Sequence, residues 1–245
     1  MAMQLVTGMR CVGREPATVW RTIASLEAAG FSQPHFFVDG PFRDIDRLRR
    51  HGEVTQRHRA VGGWPSFLLA ATELYLREPA ADAYLLVEDD VVFCRDVAAY
   101  LEHPHGELEL ASLYSSARVE QRIAGRGIGF TRLNPGWHVS SGSLALVFSN
   151  PTLERFLASD FVRTYRKHPP RDIDRRHFRR DGLHHTDCVV GRFAQEAACG
   201  IQYHYPSLAR HIGEQSFMYP GFNGKGGSRQ SEAFPGEDAS ALALG

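Results

Sequence analysis

Tyr84–Phe93 reads Y-L-L-V-E-D-D-V-V-F. An apolar, β-rich run climbs to three consecutive carboxylates, and apolar residues resume directly after them. Tyr84–Val87 has no polar interruption, which is the pattern of a strand buried on both faces of a sheet. Alternation along such a strand predicts that Glu88 and Asp90 share one face while Asp89 points to the other. Three acids at the end of a buried strand are costly unless positive charge meets them, and a hard cation would remove that cost. Mg²⁺ and Mn²⁺ sites take oxygen ligands, commonly one or two carboxylates together with substrate phosphates. The plainer alternative is a strand-end turn whose acids are solvated or paired with arginines.

Toward the N-terminus, Met3–Val6 is predicted as a short first strand, followed by a loop over Thr7–Pro16. Ala17–Ala29 has helical patterning, with Trp20, Ile23 and Leu26 on one face and Gly30 as its stop. His35–Val38 is a second strand and Asp39-Gly40-Pro41 a turn. Trp64–Arg77 is the clearest helix: Trp64, Phe67, Leu68, Ala71, Leu74 and Tyr75 keep helical spacing, and Pro65 suits a first turn. Strand, helix, strand followed by helix and acid-tipped strand predicts an α/β fold with a mostly parallel central sheet flanked by helices.

Toward the C-terminus, Leu108–Tyr114 and Ser143–Phe148 are further strands, and the Gly-rich stretch Ala124–Trp137 between them suggests hairpin loops. Asn150-Pro151 opens a short helix. Phe161–Arg180 is basic and carries Pro169-Pro170, the signature of a loop excursion. Thr186–Ala198 is a helix stopped by Gly200, and Ile201–His204 a last strand. The organisation expected is a catalytic domain over 1–219 and a mobile tail over 220–245 that orders over a ligand.

Composition bounds the class. The chain has 245 residues, is 43% apolar and 23% charged, and balances 28 basic against 28 acidic side chains, so no overall charge argues for a nucleic-acid partner. No run approaches the roughly 18 apolar residues of a membrane span, and the start of the sequence has no basic-then-apolar leader pattern. Cys11, Cys94, Cys188 and Cys199 show neither CxxC pairing nor zinc-ligand spacing. A cytoplasmic setting with reduced thiols is the simplest expectation.

Ligands of open α/β sheets bind outside the carboxyl ends of the strands. That rule sets Thr7, Gly8, Met9 and Arg10, and Asp39 after strand two, beside Glu88–Asp90. The first four would hold a nucleotide through backbone amides and a guanidinium, and Asp39 would accept from a ribose hydroxyl or base; ordinary turn chemistry is the competing account. Asp187, at the first turn of its helix, stands where the helix dipole favours an anion, and an ionised carboxylate is the right species to take a proton from an attacking hydroxyl. A first-turn acid that merely stabilises the helix is the alternative. His211 is a candidate neutral metal ligand or a structural histidine. Ser140–Ser143, with Ser141 and Gly142, would let backbone approach a sugar or phosphate. Trp137 offers a platform for an acceptor sugar ring or a core plug. The arginines over 163–180 would meet an anionic acceptor or a phospholipid surface, or simply water.

Together these residues resemble a glycosyltransferase of the GT-A, Rossmann-like fold, which carries a small antiparallel addition to its sheet. Glu88-Asp89-Asp90 looks like that family's DXD motif, which implies Asp90 as ligand of a Mn²⁺ or Mg²⁺ ion bridging the donor diphosphate. Glu88 and Asp89 are then water-mediated or donor-sugar contacts. Gly142 with its serines matches the family's glycine-rich loop, Thr186-Asp187 its xED motif, and His211 the C-terminal histidine that completes the metal shell. A narrower likeness, to the N-acetylglucosaminyltransferase IV group and bacterial relatives, rests on Tyr84–Val92 and on Tyr205-Pro206-Ser207-Leu208 running into Arg210-His211-Ile212-Gly213. Where the motif has Glu, this chain has Thr186. The implied activity is transfer of a sugar from a nucleoside-diphosphate donor, UDP favoured, to the hydroxyl of a glycan, lipid-linked glycan or peptide, inverting with Asp187 as base. Arg229, in G-G-S-R-Q-S, is expected to swing onto the diphosphate. The competing classes are a sugar-nucleotide nucleotidyltransferase, a metal-dependent phosphoester hydrolase using Glu88–Asp90, His184, His185 and Asp187, and an inactive carbohydrate-binding relative.

Overall fold

The computed structural model describes residues 3–14, 17–103, 105–134, 143–165, 186–213 and 230–245. Its main sheet has eight strands: β1 (Leu5–Cys11), β2 (His35–Val38), β3 (Val54–Gln56), β4 (Ala83–Glu88), β6 (Leu110–Ser112), β7 (Gly129–Leu133), β8 (Ala145–Ser149) and β9 (Ile201–Tyr205). Their spatial order is β3-β2-β1-β4-β8-β6-β9-β7. All run the same way except β8 and β7, so the predicted mostly parallel sheet is what the chain builds. β5 (Val91–Phe93) leaves this sheet and pairs antiparallel with β10 (Ala209–His211), setting His211 opposite Val91.

β4 is central, between β1 and β8, and both of its faces are covered. Leu85 and Val87 point into one core with Val19, Ile23 and Leu26 of α1 (Val19–Ala28). Tyr84 and Leu86 point into the other, with Trp64, Phe67 and Leu74 of α3 (Gly63–Arg77). The uninterrupted apolar run is thus explained by two-sided burial, as its sequence implies. The second core is dominated by aromatics. Phe156 of α6 (Asn150–Ala158) is fully buried and meets the rings of Trp64, Phe67, Phe148 and Phe193, the last from α8 (Thr186–Glu196).

β1 is longer than its sequence suggests, and this corrects the predicted loop. Thr7, Gly8, Met9 and Arg10 lie inside the strand, paired with β4 on one side and, from Gly8 onward, with β2 on the other. Gly8 reads as a turn residue, but it serves close packing: a Cβ there would stand 3.0 Å from both Leu74 and Phe37. The real loop begins at Val12. Part of the stretch expected to form hairpin loops is β7, an edge strand antiparallel to β9.

Residues 230–245, within the expected mobile tail, are fixed to the body. Glu120 of α5 (Ala117–Ile123) is buried and accepts from Ser231 Oγ at 2.5 Å and from the amides of Glu232 at 2.7 Å and Ala233 at 3.1 Å. Further on, Arg95 and Ala239–Ala241 exchange backbone bonds, and Ser240 Oγ donates to Asp96 at 2.7 Å. The basic segment over 166–180 lies outside the described residues. Among the described residues no helix is long and apolar enough to cross a membrane.

Phe156 knits three elements of the aromatic core, so Phe156→Ala should lower the unfolding free energy by about 3–5 kcal/mol. Urea denaturation followed by circular dichroism measures this, and an unchanged midpoint would show that the site collapses without penalty.

Candidate active site

The site forms where β4 stops. Asp89 and Asp90 make the turn into β5, and α1 clamps that turn from below: Thr18 and Thr22, one helical turn apart, donate their hydroxyls to the Asp89 carbonyl at 2.8 and 3.0 Å. The Val91 amide in turn donates to Thr22 Oγ1 at 3.2 Å. A short loop leaves β1 alongside, and its Val12 amide donates to Asp89 Oδ2 at 2.9 Å. Arg14, from the same loop, spans both aspartates, with Nη2 2.5 Å from Asp89 Oδ1 and Nη1 2.5 Å from Asp90 Oδ2.

β10 delivers His211 from the far end of the chain. Its Nε2 lies 3.0 Å from Asp90 Oδ2, the oxygen that Arg14 also meets. The Ile212 amide donates to the Asp90 carbonyl at 2.8 Å, fastening the two segments together. Gly213 packs against this pair so tightly that a Cβ would stand 2.5 Å from Asp90 Oδ2 and 2.7 Å from His211 Nε2.

Glu88 faces the other half of the site. It lies 3.2 Å from Arg10 Nη1, its partner across the β1–β4 ladder, and its amide donates to Leu144 at 2.9 Å. Arg10 is buried, stacks on the Phe67 ring at 5.5 Å, and has no hydrogen-bond partner for its Nε among the described residues. Asp187, in the first turn of α8, accepts from the Ser143 amide at 2.7 Å and adds its charge to the field at Glu88.

Charge and burial are in tension here. Burial alone would disfavour every carboxylate. It does raise Glu88, helped by Asp90 and opposed by Arg10. It raises Asp89 as well, with Arg14 opposing and Asp90 assisting. At Asp90 burial is outweighed by the His211 bond and the Arg14 charge, which hold its carboxyl well below the usual range. Burial also works against the charged form of Arg14, but Asp89 and Asp90 more than compensate.

Glu88, Asp89, Asp90, His211 and Arg10 converge, and Asp187 joins them through Ser143. The expected separation of Asp89 from its neighbours does not hold, because strand alternation ends at Glu88 and Arg14 meets both aspartates. Thr7, Gly8 and Met9 do not reach the site: they are interior to β1, their strand pairing engages the backbone, and Met9 is fully buried in the core. Asp39 sits at the end of β2, where its two oxygens accept from the amides of Val61 at 2.8 Å and Gly62 at 3.1 Å and so hold the entry to α3. Trp137, Ser141, Gly142, His184, His185 and Arg229 lie outside the described residues. Sequence reasoning missed the roles of Arg14, the Val12 amide and Gly213; once β1 is known to end at Cys11, Arg14 is the first basic residue beyond it.

Two of the clefts among the described residues border the sheet. The larger, about 810 Å³, lies at the amino ends of β1–β3 beside Val6, His35, Val54 and Arg77, away from the acids. The smaller, about 430 Å³, adjoins the site and is lined by Val12, Arg14, Trp20, Pro41 and Phe42. The smaller cleft shares Arg14 with the acid pair. Among the described residues no three His, Cys, Asp or Glu side chains converge as a metal cage. Asp90 and His211 have the chemistry to hold a hard divalent cation, whose remaining ligands would be oxygens from outside this pair.

Gly213→Ala should cost about 1–3 kcal/mol of stability, because the side chains it would displace are tied to one another and to Arg14. Urea unfolding reads this, and a wild-type midpoint would mean that the Asp90–His211 contact is loose.

No protein-family model matches the chain, and no curated protein is similar to it in sequence. Among solved structures, GalNAc-T7 with UDP, GalNAc and Mn²⁺ is similar at a TM-score of 0.57 and 7% identity, over 90% of this chain and 45% of that one. The chain therefore spans less than half of that protein's length. CMP:2-keto-3-deoxy-manno-octonic acid synthetase with CTP reaches a TM-score of 0.46 at 10% identity, covering 82% and 88% of the two chains. The glycosyltransferase GlyE of Streptococcus pneumoniae TIGR4 reaches 0.45 at 12% identity, covering 80% and 44%. At such identities the likeness is one of architecture, and the fold is of the GT-A, Rossmann-like type.

Proposed function

We propose that this chain is a metal-dependent glycosyltransferase. It moves a sugar from a nucleoside-diphosphate donor, UDP-sugars first among them, to an acceptor hydroxyl with inversion. The observation that carries the reading is the meeting of Asp90 and His211, 121 residues apart in sequence and 3.0 Å apart in space, at the carboxyl end of the central strand. A carboxylate and an imidazole gathered at that position have the chemistry of a partial cation shell that phosphate oxygens complete. Mn²⁺ or Mg²⁺ held there supplies positive charge against the leaving nucleoside diphosphate.

The remaining residues divide the work. Asp187 accepts the proton of the attacking hydroxyl, and its bond from the Ser143 amide orients the carboxylate for that task. Glu88, poised against Arg10, contacts the donor sugar between the cation site and Asp187. Asp89 holds the β1 loop in place through Val12 and Arg14. The cleft beside Trp20 and Phe42 is large enough for a nucleoside, with Asp39 of the neighbouring turn meeting the ribose or base. Ser141, Gly142 and Arg229 on the donor side, and Trp137 on the acceptor side, belong to the same proposal on sequence grounds.

A panel of nucleotide sugars with Mn²⁺, read by release of free nucleoside diphosphate, tests the reaction. Asp187→Asn should retain donor binding and lose transfer by about 10²–10⁴-fold. Asp90→Ala should abolish metal-dependent turnover. Equal turnover by Asp90→Ala would remove the cation site, retained transfer by Asp187→Asn would remove the base, and pyrophosphate release from a nucleoside triphosphate would make the chain a nucleotidyltransferase instead.

A further inference from the structure

The cation proposed to bind Asp90 has a rival within the chain. Asp90 Oδ2 is met at 2.5 Å by Arg14 Nη1 and at 3.0 Å by His211 Nε2, so arginine and histidine share one oxygen. The space beside that oxygen is closed by Gly213, where even a methyl group would collide. A divalent ion placed between Asp90 and His211 would draw on the same lone pairs that now face the guanidinium. Two like-charged groups cannot share a buried carboxylate oxygen without strong repulsion.

Arg14 is built to leave as well as to hold. Its second contact, from Nη2 to Asp89 Oδ1, is independent of Asp90, and Asp89 is anchored separately by the Val12 amide. The guanidinium can therefore release Asp90 and stay tethered to Asp89. Among the described residues its buried Nε has no hydrogen-bond partner, which leaves a donor for an anionic oxygen. The side chain also borders the smaller cleft and is 16% exposed, which gives a ligand access to it.

We propose that Arg14 is an internal counter-cation that competes with the divalent metal for Asp90. It neutralises the buried acid pair until the metal arrives, and on release it offers its donors to the diphosphate. Metal and nucleotide would then favour each other's binding, since both draw on the same state of that side chain, the one released from Asp90. This inference rests on the reading of Asp90 and His211 as the metal site.

The test is a MnCl₂ titration followed by the electron paramagnetic resonance signal of free Mn²⁺, with and without UDP. It uses the wild type, Arg14→Ala, Arg14→Lys and Asp90→Ala. Without UDP, Arg14→Ala should bind Mn²⁺ on the order of tenfold tighter than the wild type, since one charge-assisted bond to Asp90 no longer has to be broken. Arg14→Lys should fall between them, because a point charge cannot span both carboxylates, and it keeps the test alive if the alanine variant does not fold. Added UDP should tighten Mn²⁺ binding more in the wild type than in either Arg14 variant. If Mn²⁺ binds through Asp90 but both Arg14 variants match or fall below the wild type, the competition is overturned and the metal site stands. If no protein binds Mn²⁺ even with UDP, or if Asp90→Ala binds it as well as the wild type, both readings fall.

Discussion

Two adjacent carboxylates, Asp89 and Asp90, are buried at the end of a central strand, and the rest of the site exists to make that tolerable. One ionised carboxylate without a partner in such surroundings would be costly, and two together would repel. Arg14 answers with a planar guanidinium that meets both, and His211 adds a contact to Asp90 alone. The asymmetry matters. Asp90 is held firmly ionised while Asp89, lacking the histidine, is pushed upward by burial. Asp90 is the acid met by both the guanidinium and the imidazole.

The architecture converges on that pair from three directions. β4 brings the acids to the carboxyl edge of the sheet, α1 pins the turn through Thr18 and Thr22, and the β5–β10 ribbon carries His211 back from the end of the fold. The ribbon packs Val91, Phe93 and Ala209 into the first core and so fixes the position of one imidazole. On the other side of Glu88, the start of β8 and the first turn of α8 are joined by the Ser143–Asp187 bond. The candidate base is therefore held by backbone, in register with the strand that carries the acids.

Much of this was legible in the sequence, for identifiable reasons. Tyr84–Val87 announces a doubly buried strand because nothing polar interrupts it, and α3 announces itself because Trp64, Phe67, Ala71 and Leu74 keep helical spacing. Both signals are local. β1 was harder: Gly8 has the local character of a turn, and only the packing of Leu74 and Phe37 against its bare Cα explains why it continues a strand. That boundary hid Arg14, whose neighbours in space are 75 and 76 residues away. Glu120 looks like any helix-surface acid, yet it receives two amides and a hydroxyl from residues more than 110 positions later. His211 stood out through the family resemblance, while its contact with Asp90 depends on a strand pairing that no local pattern encodes.

In the proposed function Asp90 and His211 would grip one cation, with a nucleoside diphosphate lying across it. Pulsed electron paramagnetic resonance of the protein with Mn²⁺ and UDP, after labelling its histidines with ¹⁵N, examines this directly. The account predicts a ¹⁵N coupling from a single imidazole bound to Mn²⁺, present in the wild type and gone in His211→Phe. A Mn²⁺ signal with no imidazole coupling, or one that survives loss of His211, would contradict it.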